Sequence, residues 1–272
     1  MKVAVATYTN GNPRKALYQG LLERALTDAG HKLVHHPIGS LPPPCDFAVF
    51  WGTKTAPIPI LRERRIPFLV SEMRYFGPRQ GAASLGWNHL ARRAIRPAPS
   101  AAPRPRPRLA PWKHDNVGKV MILGQVPRDA AVQNIDIRQW EADAFAEARR
   151  VWGRETVYRP HPNRLKNAGL SIPIAPIEVA LADENVWLAV SYNSCAGVDA
   201  VSAGVPTVTI DEGSMAWDVA SHSIGERKMP DREAWAHWIS YTQWSQDEFG
   251  NGAALAHMMR SFDEARADAE LR

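Results

Sequence analysis

Val186-Trp-Leu-Ala-Val-Ser-Tyr-Asn-Ser-Cys-Ala-Gly-Val-Asp-Ala-Val-Ser-Ala-Gly-Val-Pro-Thr-Val-Thr-Ile210 decides how the chain reads. Val186 to Val190 is a short apolar run, as in a strand buried on both faces. Ser191 to Gly197 is small and polar, so backbone can come close to a ligand there. A short helix follows, its unpaired N–H groups directed to the same place. Gly204 and Pro206 stop that helix, and Val205 to Ile210 begins the next strand. This is a strand–turn–helix–strand crossover. It suits either plain scaffolding or a phosphate held at the turn. Asp199, early in the helix, is placed to accept hydrogen bonds from a ribose.

Working outward, 272 residues suffice for one large domain or two ordinary ones. Hydrophobic content of 45% and charged content of 22% are those of a soluble globular chain. No apolar run reaches the roughly 18 residues that a membrane span needs. Met1 to Tyr8 reads as a first buried strand rather than a signal peptide, so a cytoplasmic protein with no membrane partner is expected. Cys45 and Cys195 are too far apart in sequence to suggest a metal motif or a disulfide framework. Cys195 lies within the turn, but nothing supplies a base for it, and it reads as a small residue at a tight spot. The net charge of +5 suits a polyanionic partner or a nucleotide.

Strands alternating with helices predict an α/β chain with parallel sheets. Residues 1–96 form the first unit, with strands at Lys2–Tyr8, His31–His36, Phe47–Trp51 and Ile66–Val70. Its helices are expected after Pro13 and over Ile58–Arg65. Residues 97–115 alternate proline with alanine and arginine. They read as an extended linker, or as a basic arm whose Arg104, Arg106 and Arg108 touch nucleic-acid phosphates. Residues 116–252 form the second unit. Its strands are Val117–Leu123, Glu155–Arg159, Val186–Val190 and Val205–Ile210, and Ile137–Trp152 is an amphipathic helix. Residues 253–272 form a last helix that can return to the first unit.

Three segments of the second unit fall at carboxyl ends of expected parallel strands. They are Gly124 to Asp129, Arg159-Pro-His-Pro-Asn163, and Ser191 to Asp199. Ligands of open α/β sheets bind at such ends, so their coincidence points to a nucleotide site. Arg159 and His161 suit a diphosphate, and the flanking prolines restrict the backbone that carries His161. Asn193, Ser194 and Gly197 would face the diphosphate.

Val120-Met-Ile-Leu-Gly-Gln-Val-Pro-Arg-Asp129, Tyr158-Arg-Pro-His-Pro162 and Asn193-Ser-Cys-Ala-Gly-Val-Asp-Ala-Val-Ser-Ala-Gly-Val-Pro206 resemble, in this order, the nucleotide-sugar half of GT-B glycosyltransferases. The resemblance runs to the capsule-polysaccharide (Kdo-transferase-like) group and to glycosyltransferase-like proteins of bacteriophages, and covers roughly residues 117–212. It implies a GT-B-like fold of two Rossmann-like domains facing across a cleft, with acceptor bound by the first and nucleotide sugar by the second. It assigns the first-loop residues to Gln125 and Asp129 and the His-Pro segment to His161 and Pro162. The ribose carboxylate matches Asp199, where many GT-B families have Glu. A UDP-linked sugar, no resident cofactor and no required metal are expected.

An inverting transfer needs a base for the acceptor hydroxyl. Glu72, directly after the strand Ile66–Val70, is the carboxylate placed for that role, or else a surface Glu near Arg74. The adjoining stretch interleaves Arg74, Tyr75, Arg79, Trp87, Arg92 and Arg93. It reads as a surface for an exposed nucleobase and its phosphates, or as a helix packed by Leu85, Trp87 and Leu90. With the basic linker, it leads to an expected acceptor: a hydroxymethylated pyrimidine in double-stranded, phage-type DNA in the host cytoplasm. Transfer to a capsule or cell-surface glycan is the alternative, and a non-catalytic nucleotide or nucleic-acid binding module is a third. Trp217, Trp235, Trp238 and Trp244 suit a sugar-stacking wall or, more simply, aromatic core.

Overall fold

The structure is a computed structural model that describes residues 1–7, 12–53, 56–77, 81–169 and 174–271. Arg79 lies outside the described residues. The chain divides into two compact units, one of residues 1–104 with 240–272 and one of residues 105–239.

The first unit opens with strand β1 (Lys2–Thr7), helix α1 (Pro13–Asp28), β2 (Lys32–Pro37), β3 (Phe47–Trp51), α2 (Ile58–Glu63), β4 (Phe68–Met73) and β5 (Ala82–Trp87). Asn12 caps α1 through its side-chain oxygen, and Pro13 takes the first helical position, where no N–H is needed. β2, β1, β3 and β4 are mutually parallel, and β5 returns antiparallel to β4. Alternate residues face opposite ways. Val3, Val5, Phe47, Val49 and Leu69 enter one apolar cluster, and Ala4, Ala6, Phe50, Phe68 and Val70 the other. Burial on both faces explains why these strands read as continuous apolar runs.

The second unit contains β6 (Lys119–Leu123), α3 (Ile137–Trp152), β7 (Thr156–Arg159), α4 (Pro162–Asn167), α5 (Ile177–Asp183), β8 (Val186–Ser191), α6 (Ala196–Ser202), β9 (Thr207–Thr209) and most of α7 (Glu233–Ser240). Its sheet has the order β7-β6-β8-β9 and is parallel throughout. Ala144 and Ala148 of α3 pack with Val120, Ile122, Val190 and Val208 on one face. Leu181 of α5 and Ala200 of α6 pack with Met121, Leu123 and Ala189 on the other. Gly204 has φ +77°, and a Cβ there would overlap the Pro111 carbonyl. The glycine that stops α6 therefore also seats residues just before β6.

The chain then completes the first unit with β10 (Gln243–Ser245), α8 (Gln246–Gly250), α9 (Ala253–Met259) and α10 (Phe262–Leu271). β10 pairs antiparallel with β5, giving a six-stranded sheet β10-β5-β4-β3-β1-β2. Phe249, Leu255, Met258 and Ala265 join the cluster of β1, β3 and β5. The boundary drawn from sequence after residue 252 moves to 239/240, because β10 and α8 belong to this sheet and its cover. The Pro/Arg segment is not one free linker either. Ser100 bonds the Tyr241 hydroxyl (2.8 Å) within the first unit, while Ala110 N–H bonds the Ser202 carbonyl (2.8 Å) within the second.

The two aromatics of the stretch read as a base-binding surface, Trp87 and Tyr75, are core. Trp87 is 0% exposed and its indole N–H donates to the Met258 carbonyl (2.9 Å). Tyr75 is likewise buried. These two rings are therefore closed to a nucleobase, and the helical alternative gives way to a strand over residues 82–87, between β4 and β10. Arg104 is not an arm residue. It bridges Glu248 (2.5 and 3.1 Å) and lies over the Trp244 ring at 3.8 Å. Arg106 pairs with Glu233 (2.7 Å), and Arg108 is exposed. Trp235 and Trp244 are buried, with Trp235 Nε1 donating to the Met215 carbonyl (2.8 Å), so they serve as aromatic core.

Candidate functional site

The carboxyl ends of the second unit's strands carry a polar cluster built on a parallel sheet. β6 ends at Leu123, and Gly124 and Gln125 follow. Gly124 N–H donates to the Arg159 carbonyl (2.9 Å), and a Cβ at Gly124 would collide with the Tyr158 hydroxyl. Glycine is required there because β7 approaches so closely. Gln125 is buried, and its amide pairs both ways with Asn193. Nε2 donates to Asn193 Oδ1 (2.7 Å), and Oε1 accepts from the Asn193 backbone N–H (3.1 Å). Asn193 Nδ2 donates onward to Asp211 Oδ2 (2.8 Å) and the Ala131 carbonyl (3.0 Å). All three polar positions of the Asn193 amide are thus engaged within the protein, so this side chain frames the site rather than reaching out of it.

Glu141, from the second turn of α3, stands on the other side of Gln125. It is 5% exposed, and its Oε1 accepts from the Gln125 backbone N–H (2.9 Å). Its Oε2 accepts from the Tyr158 hydroxyl (2.9 Å) and from Arg164, which also donates to that hydroxyl (2.6 Å). Burial first, and the Glu141 carboxylate second, hold the Tyr158 hydroxyl well above the usual tyrosine range, so it stays a neutral donor.

The remaining sequence-derived residues lie on these same strand ends or the turns that follow. Arg159 closes β7 and donates to the Ala175 carbonyl (2.8 Å). His161 caps α4, its Nδ1 accepting from the Asn163 N–H (3.1 Å). That bond places the proton of the neutral ring on Nε2. Asp129 is exposed and caps a short 3-10 turn by accepting from Ala130 N–H (2.8 Å). Ser194 is buried, and its Oγ accepts from Ala196 N–H (3.3 Å). Gly197 lies against Ser191 Oγ, where an added Cβ would be 3.3 Å away. Asp199 is half-buried in the first turn of α6. Cys195 is exposed rather than packed into a tight spot.

In the first unit Glu72 is the fifth residue of β4, at its carboxyl end. Its Oε1 accepts from the Tyr75 hydroxyl and from the Ala91 N–H (3.1 Å). Arg96 donates to the Tyr75 hydroxyl (3.3 Å) and to the Leu85 carbonyl (2.7 Å). Burial, then the neighbouring Glu72, raises the Tyr75 hydroxyl well above its ordinary value. Arg74 donates to the Gly77 carbonyl (3.2 Å); Arg92 is half-buried and Arg93 exposed.

Four contributors to this arrangement are not among the site residues named from sequence: Glu141, Arg164 and Asp211, and Tyr158, which lies within a quoted motif without an assigned role. Glu141 has a sequence signal. Ile137, Glu141, Ala144 and Ala148 recur at helical spacing on the buried face of α3, and a lone acid on such a stripe needs a partner. Among the described residues no group of three or more His, Cys, Asp or Glu is placed to hold a metal, and no helix is long and apolar enough to cross a membrane.

No protein-family model and no curated protein matches the chain. Among solved structures it is similar to the beta Kdo 2,7 transferase of Thermosulfurimonas dismutans KpsC, with TM-score 0.48 and 11% identity over 94% of this chain and 100% of that one. It is also similar to the beta Kdo 2,4 transferase of the same KpsC, with TM-score 0.52 and 13% identity over 98% of each chain. At that identity the likeness is one of fold: a mixed α/β chain with parallel, Rossmann-like sheets, shared with a glycosyltransferase.

Proposed function

We propose that the chain is a glycosyltransferase that moves a sugar from a nucleotide-sugar donor to an acceptor hydroxyl. The observation that carries the proposal is the polar cluster at the carboxyl ends of the second unit's parallel strands, where Gln125 after β6, Asn193 after β8 and Asp211 after β9 are joined by hydrogen bonds. Open α/β sheets take their ligands there. The fold shared with the KpsC 2,4 transferase supports the same reading.

In this proposal the second unit takes the nucleotide, UDP being the expected carrier. Arg159 offsets charge on the phosphates, the Nε2–H of His161 donates a hydrogen bond to them, and Asp199 accepts from the ribose. Asp129 is exposed beside the loop after β6, available to the sugar or ribose hydroxyls. In the inverting version, Glu72 takes the proton of the acceptor hydroxyl as its oxygen attacks the anomeric carbon. The bond from that carbon to the phosphate oxygen breaks, and the nucleotide leaves with the electron pair.

A DNA acceptor loses Trp87, Tyr75 and Arg104, which are occupied inside the fold, and would rest on Arg74, Arg92, Arg93, Arg106 and Arg108. The test is mass spectrometry of acceptors after incubation with a panel of sugar nucleotides. The panel of acceptors contains hydroxymethylated DNA and capsule-type oligosaccharides. A mass gain equal to one glycosyl residue, lost in Glu72→Gln by a factor of about 10² or more, is the expected result. Turnover is expected to persist in EDTA. If neither acceptor gains mass, the glycosyltransferase reading falls, and nucleotide or DNA binding without transfer replaces it with the binding-module reading.

A further inference from the structure

We propose that Glu141 is a positioning residue for the nucleotide site, holding the ends of the strands in register for the ligand. This rests on the reading of the second unit as the nucleotide-binding half. A carboxylate on the buried stripe of an amphipathic helix is costly unless its oxygens are filled. Here they are filled by donors from three different segments: the Gln125 backbone after β6, Tyr158 within β7, and Arg164 of α4. Each segment adjoins a candidate ligand residue. Gln125 begins the loop that carries Asp129, Tyr158 precedes Arg159, and Arg164 lies on the helix capped by His161.

The bonds continue in the order of the sheet. Arg164 and Tyr158, at the end of β7, meet Glu141, which holds Gln125 after β6. Gln125 holds Asn193 after β8, and Asn193 holds Asp211 after β9. One chain of hydrogen bonds thus spans all four strand ends in their spatial order, β7-β6-β8-β9. Glu141, on α3, lies where α4 and the ends of β6 and β7 meet. Its hydrogen bonds run to the Gln125 backbone, Tyr158 and Arg164. Its action is to fix the Gln125 backbone, and through it the amide pair with Asn193, so that the surrounding groups do not have to be ordered when the nucleotide arrives.

A merely structural Glu141 would stabilise the fold without affecting affinity, and the experiment separates the two. Binding of UDP, CMP, GDP and TDP is measured by calorimetry, well below every melting temperature, for the wild type and for Glu141→Gln, Glu141→Asp and Val120→Ala. Val120 is fully buried in the same sheet and outside the network, so its variant supplies a loss of stability alone. The expected result is a tenfold or greater loss of affinity in Glu141→Gln, partial recovery in Glu141→Asp, and a change under twofold in Val120→Ala. Should the single variants fold poorly, Glu141→Leu with Arg164→Leu removes the charges together, and an apolar replacement of a buried pair is often tolerated. That double variant is also expected to lose affinity tenfold.

A second readout needs no ligand. Amide hydrogen exchange at residues 124–126 and 191–194 is expected to accelerate at least tenfold in Glu141→Gln and not in Val120→Ala. If the wild type binds a nucleotide and Glu141→Gln binds it equally well, the positioning role is overturned while the proposed function stands. If the wild type binds no nucleotide, the proposed function falls. Exchange then decides the network alone: unchanged rates at both segments overturn Glu141 as its organiser, and accelerated rates uphold it.

Discussion

Gly124 and Tyr158 meet so closely that their identities depend on each other. A methyl group on Gly124 would collide with a hydroxyl already committed to Glu141 and Arg164. Gly124→Ala is therefore expected to destabilise the second unit by about 1–3 kcal/mol, as overpacking does. Tyr158→Phe in the same chain should recover part of that loss, because the colliding oxygen is gone. Urea titrations of the two single variants and the double form a cycle that checks the coupling. Additive losses would show that the two positions are independent. A second residue-scale case is His257, buried beside Tyr241 and Trp244, with ring centroids 5.4 and 4.9 Å away. Burial first, then Arg260 and Arg104, lowers its pKa to about 4. An unfolded histidine titrates near 6.5, so between pH 6.5 and 4 the unfolded chain binds the extra proton. The stability associated with neutral His257 is full above pH 6.5 and declines as the pH falls toward 4, by about 3 kcal/mol over the window. His257→Phe should flatten that decline in denaturation curves taken at pH 7 and pH 4.5. A decline of equal depth in the variant would assign it to other groups.

Among the elements, the Pro/Arg segment shows how charge in a sequence can mislead. Three arginines between prolines look like a solvated arm, yet Arg104 forms a two-pronged bridge to Glu248 and lies over Trp244. Arg104→Gln is expected to cost about 2–3 kcal/mol of stability, since it strands a partly buried carboxylate. Arg108→Gln, on an exposed side chain, should change stability by less than about 0.5 kcal/mol. Thermal melts of both variants distinguish a structural segment from a uniform arm; equal effects would contradict this difference. The parallel strands were legible because burial on both faces writes continuous apolar runs, as in Val186 to Val190 and Phe47 to Trp51. β5 was not, because Ala82-Ala-Ser-Leu-Gly-Trp87 has neither a helical nor an alternating period, and its strand form is set by β4 and β10 on its flanks. The strand-end loops were legible as a group, from turns following apolar runs. Their connection was not, because Glu141 and Asp211 enter from distant positions in the sequence.

In the whole molecule, the first unit is discontinuous, and residues 105–239 are inserted within it. Trp87 depends on this arrangement. Its indole bonds Met258, and its ring packs on Phe262 with centroids 5.4 Å apart. A chain ending at Ile239 would expose that ring and lose Phe249, Leu255 and Met258 from the core. It is expected to give no cooperative unfolding transition for the first unit, whereas residues 105–239 alone should give one. Near-ultraviolet circular dichroism and calorimetry of the two fragments check this. Two full transitions from the shortened chain would refute the dependence.

The pairing of β10 with β5 also sets a timetable for synthesis. The amino-terminal strands leave the ribosome first, but their sheet lacks an edge strand and three covering helices until residues beyond 240 have been made. The inserted unit is complete by then. The order of folding during translation thus departs from the order of emergence: the inserted unit matures first, and the strands made before it wait for the residues made after it.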